Sequence, residues 1–335
     1  MRIAVDAMGG DNAPDAVIEG AVLAAREYQV EILLVGQQGV VRESLDQYDL
    51  GGGKIEIVPA SQIVLMDESP TEAIRGKKES SIAVAARLLG TGDADAMISA
   101  GNTGAALATT RSFLGKLKGL ARPAIASVIP NEVDFTILLD VGANAGGCRP
   151  EHLRQFAIMG EIYAREVMGK ENPRVGLLSV GEEESKGSAV TLSAFPLLAQ
   201  SPINFVGNVE GSDVVNGSTD VVVCDGFVGN VILKLTEGIG EMLFKLISEE
   251  LGKSKLAKLG VLMAAPVLRK FKKRIDYAEY GGAPLLGIKG VCIIGHGKSS
   301  AFAIKNAIRV ASEFVSHGVN EHIEQKLKII KEQGI

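Results

Sequence analysis

Short apolar runs rich in Val, Ile and Leu alternate along the chain with longer runs whose apolar residues recur every three or four positions. Arg2–Asp6, Glu31–Val35, Ile55–Pro59, Ala94–Ser99, Thr136–Val141, Arg174–Val180, Asn204–Asn208 and Asp220–Cys224 read as strands. Pro14–Glu27, Thr71–Leu89, Gly101–Leu114, Pro150–Met168, Ala189–Ala199 and Asn230–Leu251 read as helices. The strands are apolar almost throughout, so both of their faces are buried. This alternation predicts a three-layer α/β/α sandwich around a mostly parallel, doubly wound sheet. After a break at Gly252 a second helical run extends from Ser254 to about Ile275, and Pro266 inside it is expected to kink or restart it. Residues 230–275 therefore read as a helical hairpin projecting from a single α/β domain that occupies 1–335.

Five predicted strands end in polar, glycine-rich loops: AVDAMGGDNAP, ISAGNTGAA, LLDVGANAGG, LLSVGEEESKGS and VVCDGFVGNV. Ligands of open α/β sheets bind outside the carboxyl ends of the strands, so these loops predict one shared pocket. Its chemistry suits an anion. Gly101, Thr103 and Gly104 lie where a strand turns into a helix, and free N–H groups there favour phosphate. Asn102 adds an amide donor, and Asn144 and Asn230 follow Gly142 and Gly229 in similar places. Lys186 lies in a glycine-flanked loop behind Glu182–Glu184. It reads either as a point charge on phosphate or an oxyanion, or as a solvated lysine neutralising the acidic run. Asp225 either orients Lys186 or caps a turn, and His296 either protonates a leaving group or sits as a satisfied strand-end histidine.

Several chemistries lack their signature. No G-x-G-x-x-G follows a strand, and no G-x-S-x-G or H-E-x-x-H occurs. Gly297-Lys298-Ser299 resembles the end of a Walker loop, but the glycine required at 292 is Cys292. Four histidines and the scattered Cys148, Cys224 and Cys292 give no zinc spacing and no disulfide framework, which suits a reduced cytosolic setting. The amino terminus does not read as a signal peptide, and the longest uncharged apolar run, Leu259–Leu268, has ten residues. A net charge of −5 and only 4% aromatic residues argue against nucleic acid as a partner. The charge is uneven, however. Residues 253–274 hold eight Lys and Arg and no acid, which leaves 27 basic against 40 acidic residues elsewhere. Lys255, Lys258, Leu259 and Leu262 place basic and apolar groups together, as on a helix that contacts anionic lipid or an acidic protein, or that buries its apolar residues against a second copy; dimer contact near the base of the hairpin and lipid contact at its tip, around Ser254–Met263, is the expected division.

The segments MRIAVDAMGGDNAP, SAGNTGA, LLDVGAN, RPEHL, RVGLLSVGEEESKG, DVVVCDGFVGNV, YGGAPLLG and the final Gly295–Gly297 resemble the bacterial phosphate acyltransferases of the PlsX type. The resemblance runs from Met1 to about residue 320 with the motifs in the same order. Ser188 and Ser299-Ser300 depart from the residues that many relatives carry there.

The resemblance implies a fold related to phosphotransacetylases and a homodimer. It implies an acyltransferase of phospholipid biosynthesis that converts acyl-acyl carrier protein and inorganic phosphate reversibly to acyl phosphate and free carrier, without metal or organic cofactor. It further implies direct attack of phosphate on the thioester, with no covalent enzyme intermediate. Phosphate is already anionic and a thiolate leaves readily, so holding the reactants in line and stabilising the oxyanion suffice. Lys186, Asn230 and Asp225 would carry catalysis. Gly101, Asn102, Thr103, Gly104, Asn144, Gly229 and His296 would bind phosphate or substrate. The expected setting is cytoplasmic, with peripheral contact to the inner face of the membrane and to a membrane glycerol-phosphate acyltransferase. An NAD-linked decarboxylating dehydrogenase-like enzyme would need clustered aspartates and arginines that the sequence does not offer. A non-catalytic lipid-surface scaffold would leave the five polar loops unexplained.

Overall fold

The computed structural model describes residues 1–253 and 255–333, and at 252, 255–259, 269, 272, 274, 275 and 277 it describes the backbone alone. The chain opens with β1 (Arg2–Asp6), α1 (Asp15–Glu27), β2 (Glu31–Gly36), α2 (Gln38–Leu45) and β3 (Lys54–Pro59). Then come α3 (Pro70–Gly76), α4 (Ser81–Thr91), β4 (Ala96–Ser99) and α5 (Thr103–Leu114). The middle holds β5 (Ala124–Pro130), β6 (Phe135–Leu139), α6 (Pro150–Glu166), β7 (Arg174–Leu178) and α7 (Ala189–Ala199). After β8 (Asn204–Val209), α8 (Asp213–Asn216) and β9 (Val221–Val223) follow the long α9 (Gly226–Gly252) and α10 (Lys255–Ile275). The chain closes with β10 (Ala283–Leu286), β11 (Val291–Ile294), α11 (Ala301–Ser316) and α12 (Val319–Glu332).

These eleven strands form one sheet in the order β3-β2-β1-β4-β11-β10-β5-β6-β9-β7-β8. Neighbours along each strand divide between two apolar layers. Ile3 and Val5 face one with Ile18, Phe156 and Ile304 from α1, α6 and α11. Ala4 faces the other with Ile82 and Ala105 from α4 and α5. Strands apolar on both faces can be buried only between two helical layers, which gives the expected α/β/α arrangement.

The sheet is parallel in two blocks. β3, β2, β1, β4 and β11 form one, and β6, β9, β7 and β8 the other. Three successive antiparallel pairings separate them: β11 with β10, β10 with β5, and β5 with β6. An odd number of reversals makes the two blocks run in opposite directions. The hydrophobic pattern predicts neither β5, β10 nor β11. β10 and β11 are only four residues long, and glycines at 281, 282, 287 and 290 flank them.

Some helices also differ from expectation. Thr71–Leu89 is two helices, because Lys77 leaves helical geometry (φ −120°, ψ 62°) and Ser80 is extended at the start of α4. α9 starts at Gly226, a full turn before Asn230, because the Asp225 carboxylate accepts from the N–H groups of Phe227 and Val228. α10 continues through Pro266 without restarting. From Gly238 to Glu250 every residue of α9 is exposed. Among the described residues no helix is long and apolar enough to cross a membrane.

Candidate active site

Opposed strand blocks divide the glycine-rich loops into two groups, those after β1, β4 and β11 and those after β6, β7 and β9.

The loops after β1, β4 and β11 meet at the first edge. The Asp6 carboxylate is buried there and accepts from Ser99 Oγ at 2.7 Å. A side chain at Gly9 would sit 2.6 Å from Asp6 Oδ2 and 2.8 Å from the Gly101 nitrogen, so the two loops touch through glycine. The Asn102 amide is fully engaged. Its oxygen caps α5 through the Ala105 N–H, and its nitrogen donates to the carbonyls of Met66 and Glu68. Thr103 is exposed, Gly101 is buried, and Gly104 packs against Pro70. His296 Nδ1 accepts from the Lys298 N–H at 3.1 Å.

The loops after β6 and β9 meet at the second edge, which gathers Asn144, Asp225, Gly229 and Asn230, while the loop after the neighbouring β7 carries Lys186 and is tied towards β8 by Asn208 Nδ2 donating to the Glu183 carbonyl. Its centre is Asp140, wholly buried. Asp140 Oδ1 accepts from the N–H groups of Ile125 at 2.8 Å and Ala143 at 3.2 Å, and Oδ2 from Asn144 N at 2.7 Å and Asn144 Nδ2 at 3.0 Å. The Asn144 amide also donates to the Pro123 carbonyl at 2.8 Å, so Asn144 is a brace, not a free donor. Burial pushes the Asp140 carboxyl above its ordinary value, against the pull of these four donors.

The first turn of α9 is pressed onto this loop. The Gly226 N–H donates to the Asn144 carbonyl at 3.1 Å. A Cβ at Gly229 would lie 1.9 Å from the Asp140 carbonyl oxygen, which excludes any other residue. Gly142, in the left-handed region at φ 124°, leaves the space over which the exposed Asn230 side chain stands. Asn230 is one turn inside the helix, so its backbone N–H is not one of the free donors at the helix start.

Lys186 is exposed in the neighbouring loop, whose backbone is fixed by Ser179 Oγ donating to the Lys186 carbonyl and by the Lys186 N–H donating to the Glu183 carbonyl. Asp225 caps α9, and no ion pair joins it to Lys186 among the described residues. Asp140, Arg122 and Cys148 have no assigned role in the sequence reading of this edge. Arg122 donates from Nη1 to the Gly146 carbonyl at 3.2 Å. The Cys148 thiol is pushed up first by burial, and Asp140 and Asp225 act in the same direction, while the Gly226 N–H and Arg122 oppose them. Cys224 beside it is pushed up further, again chiefly by burial. Neither thiol ionises readily, so neither is a prepared nucleophile. Arg122 lies in ARPA, outside every glycine-rich loop, and only the pairing of β5 with β6 brings it here. Among the described residues no group of three His, Cys, Asp or Glu side chains is placed to hold a metal ion.

A family model described as a fatty acid synthesis protein matches residues 1–322. The phosphate acyltransferase of Pelotomaculum thermopropionicum is 53% identical over 334 residues, covering 100% of this chain and 97% of its own. The chain belongs to the phosphate acyltransferase family. The phosphate acyltransferase of Geobacter sulfurreducens is 52% identical, covering 98% of this chain and 94% of its own. Among solved structures, a phosphotransacetylase from Streptococcus pyogenes superposes with a TM-score of 0.63 at 17% identity, covering 94% of each chain. The EutD phosphotransacetylase from Staphylococcus aureus gives 0.60 at 13% identity, also over 94% of each chain. These distant likenesses establish the fold. Membership of the family makes the chain an acyltransferase of lipid biosynthesis.

Proposed function

We propose that the chain transfers an acyl group from acyl carrier protein to inorganic phosphate, and that the edge formed by the loops after β6, β7 and β9 is where this occurs. The observation that supports the assignment is the packing of the first turn of α9, which carries Asn230, on the Asp140-braced loop beside two thiols held protonated, with Lys186 in the loop after the adjacent strand β7. Such a site can hold anions but has no activated nucleophile. In the reaction a phosphate oxygen attacks the thioester carbonyl carbon and forms the C–O bond. The carbonyl electrons move onto oxygen, then return as the C–S bond breaks. The sulfur leaves with the electron pair and takes a proton from solvent, giving acyl phosphate and free carrier. Lys186 and Asn230 stabilise phosphate and the oxyanion, while Asp225 orders the helix that carries Asn230. Gly101, Asn102, Thr103, Gly104 and His296 belong to the other edge and stay outside this site.

The whole chain is proposed to act as one catalytic domain and as a homodimer. Phe244, Leu246 and Ile247 on α9 are more than half exposed, and so is Phe271 on α10; a second copy would cover this surface. Leu262, at 72% exposure, suits contact with an anionic membrane, where a glycerol-phosphate acyltransferase would consume the product. The side chains of Lys255, Lys258 and Leu259, assigned to the same contact, lie outside the described residues. Incubation with acyl-acyl carrier protein tests the reaction: free carrier is expected only when phosphate is present. Release without phosphate, or none with it, would overturn the proposal.

A further inference from the structure

We infer that Arg122 is the principal cation of the second edge and binds phosphate oxygens of the substrate, an inference that rests on the reading just proposed. The need for such a cation is physical. Any anion placed beside Asn230 lies close to two carboxylates, the buried Asp140 and the helix-capping Asp225. Backbone N–H groups do not offset that repulsion here, because those nearest are already engaged by Asp140, Asp225 and the Asn144 carbonyl.

Arg122 is half-buried two residues before β5, and its Nη1 bond to the Gly146 carbonyl fixes it against the loop that Asp140 braces. Its guanidinium makes no ion pair among the described residues, a state it shares with Arg149, but Arg122 is the one whose side chain is bonded to the loop that Asp140 braces. One N–H is used and the rest of the fork is left to a ligand. That planar fork matches two phosphate oxygens. Its contacts mark the place. Arg122 holds the Gly146 carbonyl, the Asn144 amide donates to the Pro123 carbonyl next to Arg122 and to Asp140, and the Asn144 carbonyl accepts from the Gly226 N–H beside Asp225, so one loop joins these groups. The Arg122 charge acts as well on the buried ring of His152, where Arg149 adds to the positive field. Lys186 sits on a neighbouring loop and is exposed, so its charge is screened more strongly than that of a half-buried guanidinium.

Phosphate oxygens reach such a site from two sources: free inorganic phosphate, or the phosphodiester of a carrier protein's prosthetic arm. Initial rates with each substrate varied in turn separate them, using Arg122→Gln and Arg122→Lys in the full chain. The KM of one of the two substrates is expected to rise roughly 10- to 100-fold in Arg122→Gln with kcat little changed, and Arg122→Lys is expected to recover part of it. A rise for inorganic phosphate alone identifies the first source. A rise for acyl carrier that disappears with acyl-pantetheine, which lacks the phosphodiester, identifies the second. Unchanged KM for both substrates overturns the inference. So does an equal loss in both variants with a lowered melting temperature, which is what a structural role would give. A second measurement is independent of turnover: inorganic phosphate is expected to raise the melting temperature of the parent but not of Arg122→Gln. If phosphate protects in that manner while no carrier is released, the acyl-transfer reading fails and the anion site stands. If carrier is released normally by both proteins, Arg122 is excluded and the reading stands.

Discussion

Gly229 stands where a methyl group has no room, 1.9 Å from the Asp140 carbonyl oxygen, so Gly229→Ala must push α9 off the loop that braces it. The neighbour is backbone and cannot swing aside, so the loss is expected at or above the upper end of the about 1–3 kcal/mol typical of overpacking. Gly238→Ala is the internal control. Nothing lies within 4 Å of its position on the exposed stretch of α9, and the change is expected to stabilise by about 0.5–1 kcal/mol. Denaturant unfolding of the two variants checks both signs. Lys186→Ala is expected to slow transfer by about 10²–10³ without loss of structure, the usual effect of removing one oxyanion donor. Near-normal turnover with normal phosphate saturation would remove Lys186 from the mechanism.

Asp220 gives a pH test at the same scale. Burial would raise its carboxyl, but the Arg174 hydrogen bonds, with Lys170 nearby, hold it below the ordinary value. A lowered folded value contributes stability that is present above the unfolded carboxylate value of 3.8 and is lost as pH falls through the folded value. Asp220→Asn is therefore expected to cost roughly 1 kcal/mol at neutral pH, a modest figure because the guanidinium is open to solvent. The gap to the parent is expected to close in acid, which melting curves at neutral and low pH would show.

At the level of elements, the α9–α10 pair carries the largest share of the exposed large apolar side chains among the described residues. Leu262 and Met263 on α10 are 72% and 79% exposed, on a helix with no acidic residue. Full burial of such a side chain contributes about 1.5–3 kcal/mol, and each lysine at an anionic surface about 1 kcal/mol. Changing both residues to Glu is expected to lower sedimentation with anionic vesicles by at least tenfold while leaving turnover in solution nearly unchanged. If vesicle binding persists and gel filtration shows dissociation instead, these residues belong to a contact between copies. The pair also shows how far local pattern reaches. A helix from about 230 is evident in the spacing of its apolar residues, yet its true start at Gly226 depends on the Asp225 cap and on glycines that let the first turn lie against Asp140.

Across the whole molecule, the opposed strand blocks decide which candidate residues can act together. An anion found in a crystal is expected at the second edge, beside Arg122 and Asn230. Anion density confined to the Gly101–Gly104 turn would move the site to the first edge. Much was already legible in the sequence. Strands such as Ile3–Val5 and Val221–Val223 are apolar on both faces, which requires helical layers on both sides, and the glycine-rich motifs point to the family. The direction of the second block was not legible. It depends on β5, β10 and β11, whose short runs carry no distinctive period, and on hydrogen bonds between strands distant in sequence, such as Ala283 with Ile294 and Leu286 with Ala124. Local composition specifies which residues prefer burial or a turn. The pairing of distant strands specifies which turns become neighbours, and that is how Arg122, unremarkable in sequence, comes to lie against the loop that Asp140 braces.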